Sequence, residues 1–132
     1  MSLSGAMRVA ASGMTAERFR MDVISSNIAN ANSMQVKGGP EPYRRRDVVL
    51  QGDANGVKIV GVVQDPLETR PFKKTYDPGN PNAVDGFVTY TNVEPVYEMV
   101  NMMGASRAYE ANIAAFNSAK AMVRSALNIG KV

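Results

Sequence analysis

The chain of 132 residues contains no cysteine, no histidine and no tryptophan. Without cysteine there is no disulfide framework, and without cysteine or histidine there is no zinc or copper site of the usual donor set. A Ser-His or Cys-His nucleophile is excluded, and so is the side chain that most often acts as general base near neutral pH. No apolar run reaches the ~18 residues of a membrane span, so no direct membrane insertion is expected. Met1 to Met14 holds one charge, Arg8, and no apolar centre, which predicts no cleavable signal peptide. Neither GxGxxG nor GxxxxGK[ST] occurs, so no phosphate-cradling loop is present. What is left for catalysis is carboxylate or lysine chemistry alone. The reading is of a protein that is not an enzyme and takes no cofactor and no metal.

Charge is also short of a strong bias. Fifteen Lys and Arg against 12 Asp and Glu give a net charge of +3. Residues 1–33 carry three basic and two acidic groups, residues 34–92 eight and seven, and residues 93–132 four and three. Each part is +1, so no basic arm exists, and nucleic acid is not an expected partner.

Proline and methionine are unevenly placed. All seven prolines lie between Pro40 and Pro95, whereas Met34 is the only one of nine methionines between residues 22 and 98. The sequence therefore divides into an N-terminal helical arm (1–33), a β-rich middle region (34–92) and a C-terminal helical arm (93–132). The expected fold class is α+β, with two long terminal helices packing as a coiled-coil-like pair and a small β-rich middle.

Hydrophobic spacing supports that division. Steps of four and three through Leu3, Met7, Ala10, Met14, Glu17, Met21, Ile24, Ile28 and Ala31 meet eight apolar residues in nine, which predicts a helix over 3–31. Asn30-Ala31-Asn32-Ser33 suits a helix exit through a left-handed asparagine. A second seam runs Met99, Met102, Ser106, Tyr109, Ile113, Phe116, Lys120, Val123, Leu127, Gly130 and predicts a helix over 93–129, with Asn92 as cap and Gly130 as stop. Ala108, Ala111, Ala115 and Ala119 lie opposite, small enough for a second neighbour to approach. The middle reads as strands Arg46–Leu50, Gly56–Val63, Phe72–Tyr76 and Phe87–Tyr90. Turns are expected at Asp53-Ala54-Asn55-Gly56, at Asp77-Pro78-Gly79-Asn80-Pro81 and at Asp85-Gly86.

A helix over 93–129 would be about 55 Å long, whereas a compact chain of this size has a radius of gyration near ~14 Å. Such a helix cannot be wrapped within its own chain, and a helix pair would still leave the second, alanine-rich faces open. The residues themselves thus describe an assembly subunit. The candidate interface is the helix seam: Leu3, Met7, Met14, Met21, Ile24, Ile28, Met99, Met102, Tyr109, Ile113, Phe116, Val123 and Leu127. Arg44, Arg45 and Arg46 form the one basic run and are expected to meet carboxylates or carbonyls of an adjacent subunit, the alternatives being phosphate contacts or a solvated strand edge. The methionine spacing is read as packing rather than a copper site, and Asp53-Ala54-Asn55-Gly56 as a turn rather than a calcium loop.

Ser12-Gly13-Met14-Thr15-Ala16, followed by Ser26-Asn27-Ile28-Ala29-Asn30-Ala31-Asn32, resembles the N-terminal signature of the bacterial flagellar axial proteins of the rod and hook. Glu98-Met99-Val100 with Ala105-Ser106-Arg107-Ala108-Tyr109-Glu110-Ala111-Asn112 resembles their C-terminal signature. The middle stretches Pro42-Tyr43-Arg44-Arg45-Arg46-Asp47-Val48-Val49 and Tyr76-Asp77-Pro78-Gly79-Asn80-Pro81 resemble a proximal-rod member; Thr91 stands where that family often has proline. The resemblance implies a structural subunit of the proximal rod. Such a subunit would transmit torque from the membrane ring to the distal rod and hook, with its helices lining the export channel. It also implies export by the flagellar type III apparatus and a place in the rod spanning the periplasm. The implied partners are copies of itself, other proximal and distal rod proteins, and the export apparatus. A sibling axial protein or a stand-alone coiled-coil adaptor are the alternative readings.

Overall fold

The computed structural model describes residues 2–131; Met1 and Val132, at the ends of the two expected arms, lie outside the described residues. Six elements follow in order: α1 (Leu3–Ala29), β1 (Arg46–Asp53), β2 (Gly56–Gln64), β3 (Lys73–Tyr76), β4 (Phe87–Tyr90) and α2 (Pro95–Ile129). The class is α+β, two helices with two two-stranded sheets between them in sequence, β1-β2 and β3-β4.

The helix ends differ from expectation in instructive ways. α1 closes at Ala29, two residues early, and without a left-handed asparagine, since Asp85 is the only non-glycine with positive φ among the described residues. Both the backbone N–H and the side-chain Nδ2 of Asn30 donate to the Ser26 carbonyl instead, at 3.2 and 2.8 Å. α2 starts at Pro95, where a missing N–H and a fixed φ cost nothing. Asn92 is not its cap. Its Oδ1 accepts from the Arg45 backbone N–H at 2.7 Å and its Nδ2 donates to the Arg70 carbonyl at 3.0 Å.

Two structural units form, each from stretches far apart in sequence. The first comprises residues 1–21, 48–61 and 103–132. Its buried residues are small: Gly5, Ala10, Gly13 and Ala16 from α1, Gly56 from β2, and Ala105 and Ala119 from α2. At Gly13 a Cβ would stand 2.7 Å from the side chain of Asn112, so glycine is what lets α2 come this close. One residue earlier, the Ser12 hydroxyl donates to the Val9 carbonyl at 2.7 Å and accepts the Val57 N–H at 3.0 Å. That fixes the start of β2 on α1. Gly56, with φ +127, is pressed against the same hydroxyl and has no room for a side chain. The β1-β2 turn is closed by Asp53 Oδ1, which accepts the Asn55 N–H at 2.7 Å.

The second unit comprises residues 22–47 and 62–102. β3 and β4 pair antiparallel with Lys73 opposite Tyr90 and Tyr76 opposite Phe87. Val84 and Phe87 exchange backbone hydrogen bonds at 2.9 and 3.0 Å around Asp85 and Gly86, whose φ values are 53 and 83. Two consecutive positive φ angles make this a type I′ turn, whose twist suits a hairpin. The other edge of β4 is held by Ser33–Gln35, through Gln35 N–H to Thr89 O at 2.9 Å and Thr91 N–H to Ser33 O at 3.0 Å. Ile24, Val88 and Val93 form the apolar part of this core, and Asn27, Arg45, Thr91, Asn92 and Glu98 are buried beside them.

Candidate assembly interface

Half-buried and buried positions on α2 recur at Glu98, Ala105, Asn112 and Ala119, and at Met102, Tyr109, Phe116 and Val123. Both columns are heptad columns. The expected seam shares the second column; its other column, Met99, Ser106, Ile113 and Lys120, runs one residue beyond the column the chain itself buries. The reason is residue size. Apolarity favours Met99 and Ile113 as knobs, whereas the chain packs its closest approach on small side chains and puts Glu98 at the end of that column.

Each expected seam residue can now be placed. Ile24 is buried within the chain. Met7, Met14, Met21, Ile28, Met102, Tyr109, Ile113, Phe116 and Val123 are half-buried, and Leu3, Met99 and Leu127 are exposed. The chain thus covers one side of these side chains and leaves the other uncovered. Near the end of α2 the covering ceases. Residues 124–130 are all exposed, Leu127 at 64% and Ile129 at 81%. At the start of α2, in the second unit, Val96, Met99 and Val100 are exposed at i, i+3 and i+4 spacing, the geometry of one helix face.

Within the arginine run only Arg45 is buried. Arg45 is 3% exposed and Glu98 0%. Arg45 Nε donates to Glu98 Oε1. Its Nη1 reaches both oxygens of Asp65 at 3.1 and 3.0 Å, and its plane lies 5.1 Å from the centre of the Tyr97 ring. Burial lowers the proton affinity of the guanidinium, but the hydrogen bond and charge of Glu98, with those of Asp65, outweigh it, so the pKa is raised. Arg46 donates from Nη2 to Ser26 Oγ at 2.9 Å and from Nε to Tyr43 Oη at 3.2 Å. Arg44 donates from Nε to the Asp65 carbonyl at 2.8 Å. All three arginines thus have partners within the chain; Arg45 is buried by them, whereas Arg44 and Arg46 are only half-buried. Asp65 and Glu98, both distant in sequence, and the nearby Tyr43 supply these partners.

Sequence reasoning passed over the residue that ties this network together. Asn27 is fully buried, and all its hydrogen-bonding capacity is used. Oδ1 accepts the Tyr43 hydroxyl at 2.7 Å and the Arg46 N–H at 3.1 Å; Nδ2 donates to the Arg46 carbonyl at 2.8 Å and to Glu98 Oε2 at 3.2 Å. Its local signal was weak, since it is one of three polar residues, Ser25-Ser26-Asn27, between Ile24 and Ile28. Among the described residues no buried side-chain nitrogen or oxygen lacks a hydrogen-bond partner. This is a fully satisfied polar core, which fixes one geometry where a purely apolar contact would tolerate several.

Two family profiles match the stretches that hold these residues. Residues 7–33, with Ser12, Gly13 and Asn27, match "Flagella basal body rod protein". Residues 84–129, with Glu98, Ala105, Asn112 and Ala119, match "Flagellar basal body rod FlgEFG protein C-terminal". Over the full length, the flagellar basal-body rod protein FlgC of Bacillus subtilis (strain 168) is 41% identical, with 95% of this chain and 96% of the relative covered. FlgC of Salmonella typhimurium is 41% identical over 99% of this chain and 100% of its own, and that of Borreliella burgdorferi 38% identical over 98% of each. This full-length similarity places the chain in the FlgC family of flagellar basal-body rod proteins.

Proposed function

We propose that the chain is a load-bearing subunit of the flagellar rod whose uncovered helix surface is completed by neighbouring rod subunits. The observation that carries this reading is the end of α2. Leu127 and Ile129 lie on a helical stretch, residues 124–130, in which every residue is exposed. Helix propensity alone supports such a stretch only marginally, and most helical stability in proteins comes from packing. Exposed Met122, on the same helix, extends the unpartnered surface. Copies of the chain and other proximal and distal rod proteins are the proposed cover, with the two helices lining the export channel and the strands lying outside. Export in unfolded form by the flagellar type III apparatus and residence in the periplasm-spanning part of the rod belong to the same proposal. Torque would pass through the helices, and the satisfied polar core would hold the second unit rigid under that load.

The test is Leu127→Asp with Ile129→Asp. Both residues are exposed, so the soluble chain should keep its helix content and unfolding midpoint. Incorporation into isolated basal bodies and swimming should be lost. Normal swimming by this variant would contradict the reading.

A further inference from the structure

The β1-β2 turn carries a chemistry that assembly does not use. Eleven asparagines occur in the chain, and Asn55 alone is followed by glycine. It is exposed at the tip of the turn, and its carboxamide makes no hydrogen bond among the described residues. At the other ten the following amide is engaged or missing. Five of them lie in α1 and α2, where main-chain N–H groups serve the helix. Asn80 precedes a proline, which has no N–H. The N–H groups that follow Asn30, Asn32, Asn82 and Asn92 donate to fixed acceptors at 3.0–3.3 Å. Around Asn55 the fixed groups are its own N–H, held by Asp53 Oδ1 at 2.7 Å, and the Val57 N–H, held by Ser12 Oγ at 3.0 Å. Gly56 stands between them and has no side chain to screen its own nitrogen from the Asn55 carboxamide.

We infer that Asn55-Gly56 is a site of spontaneous hydrolytic deamidation, and that the isoaspartyl product loosens β2 from α1. The Gly56 nitrogen attacks Asn55 Cγ and a C–N bond forms. The Cγ–Nδ2 bond breaks, and Nδ2 leaves as ammonia with the proton given up by the Gly56 amide. The resulting five-membered imide takes up one water. Opening at Cγ gives aspartate; opening at the Asn55 main-chain carbonyl gives isoaspartate. One water is consumed and one ammonia released, with no oxidation or reduction. Isoaspartate routes the main chain through Cβ and Cγ and so lengthens it by one carbon. That carbon arrives beside Gly56, which is buried against the Ser12 hydroxyl and has no room for an added atom on its Cα. The turn then cannot keep both of its holds, and the Val57 N–H is drawn off Ser12. The change also adds a carboxylate next to Asp53, whose Oδ1 closes the turn.

The experiment ages the purified full chain in mildly alkaline buffer and follows intact mass, tryptic peptides and labelling by isoaspartyl methyltransferase. The mass should rise by about one unit per chain, as an amide becomes an acid. The gain should map to the tryptic peptide Asp47–Lys58, whose one asparagine is Asn55, with isoaspartate present. Conversion there should exceed that at exposed Asn32 by at least about tenfold. Asn55→Gln, a change at an exposed position, should abolish the gain in this peptide. The isoaspartyl form, separated by its extra negative charge, should exchange the Val57 amide proton at least about tenfold faster than the unaged chain. An unchanged mass, faster conversion at Asn32, or a gain that persists in Asn55→Gln would overturn the site. Unchanged exchange at Val57 in the isoaspartyl form would overturn the claimed release of β2.

Discussion

Arg45 and Glu98 stand 53 residues apart in sequence and are buried against each other, the guanidinium Nε donating to a carboxylate that has no exposure to solvent. Asp65 closes the other side of the guanidinium at 3.0 Å, and Asn27 takes the second oxygen of Glu98 at 3.2 Å. Two loop segments, one before β1 and one after β2, and both helices thereby meet at a single ion pair. Removing one partner leaves the other charged and buried, which costs about 3–5 kcal/mol, whereas replacing both with apolar side chains of similar size costs far less. Glu98→Gln should therefore lower the denaturant unfolding free energy of the soluble chain by several kcal/mol, and Arg45→Met with Glu98→Leu should recover most of the loss. Additive losses in the double variant would show that the pair is not the linchpin described.

The pH dependence of that pair has a definite sign on its basic side. The folded-state pKa of Arg45 is raised. Its contribution is thus fully present below the unfolded guanidinium value and is lost only as pH rises through the still higher folded value. Between neutral pH and the guanidinium range, the Arg45→Met and parent chains should differ in stability by a constant amount. A difference that shrinks near pH 9 would show that the guanidinium is not held in this way.

Gly13 and Gly104 are both helical glycines, and the structure assigns them opposite consequences. A Cβ at Gly104 meets nothing within 4 Å, whereas one at Gly13 meets Asn112 at 2.7 Å. Glycine to alanine in an open helix gains about 1 kcal/mol, and overpacking costs about 1–3 kcal/mol. Gly104→Ala should raise the thermal midpoint of the soluble chain and Gly13→Ala should lower it. Asn112→Ala added to Gly13→Ala should restore part of the loss. Stabilisation by both single changes would show that α2 does not approach α1 closely at Gly13.

The β3-β4 turn offers a local check. Gly86 has φ +83, and a Cβ there would stand 2.9 Å from the Tyr76 ring, itself packed edge-on to Phe87 at 5.4 Å between centroids. Backbone strain of this kind costs about 1–3 kcal/mol. Gly86→Ala should destabilise the chain by that order, while Asp85→Gly, which relaxes the other positive φ, should be neutral or slightly stabilising. Proton exchange of the Phe87 amide reads the hairpin directly.

How much of this was legible in the sequence follows from the physics of each signal. All four strands and both helices could be read, because alternation, turn chemistry and heptad spacing are local. Asp85-Gly86 declared its turn, and Gly56 declared the other. Three things were not legible. The column of α2 that the chain itself buries was not legible because apolarity scores Met99 above Glu98, yet close packing follows size and covers Ala105, Asn112 and Ala119. Asn92 looked like a helix cap because its position suits one; its side chain is taken by Arg45 and Arg70, from distant parts of the chain. The burial of Arg45 was hidden because its carboxylate partners, Asp65 and Glu98, are far away in sequence. Non-local partners of polar groups are what a single sequence hides best. The flagellar signatures were visible as residue strings, and the structure supplies their physical content: Ser12 holds a strand, Gly13 admits a helix and Asn27 satisfies a buried network.

The most direct measurement follows the exposed end of α2 from the soluble chain into the rod. Leu127→Cys introduces a single thiol into a cysteine-free protein at a position that is 64% exposed. Maleimide should label it rapidly in the soluble chain. In isolated basal bodies containing the variant, labelling should fall by at least about tenfold, because a neighbour covers that face. Equal labelling in the soluble chain and in the assembled rod would contradict the claim that neighbouring subunits complete this helix.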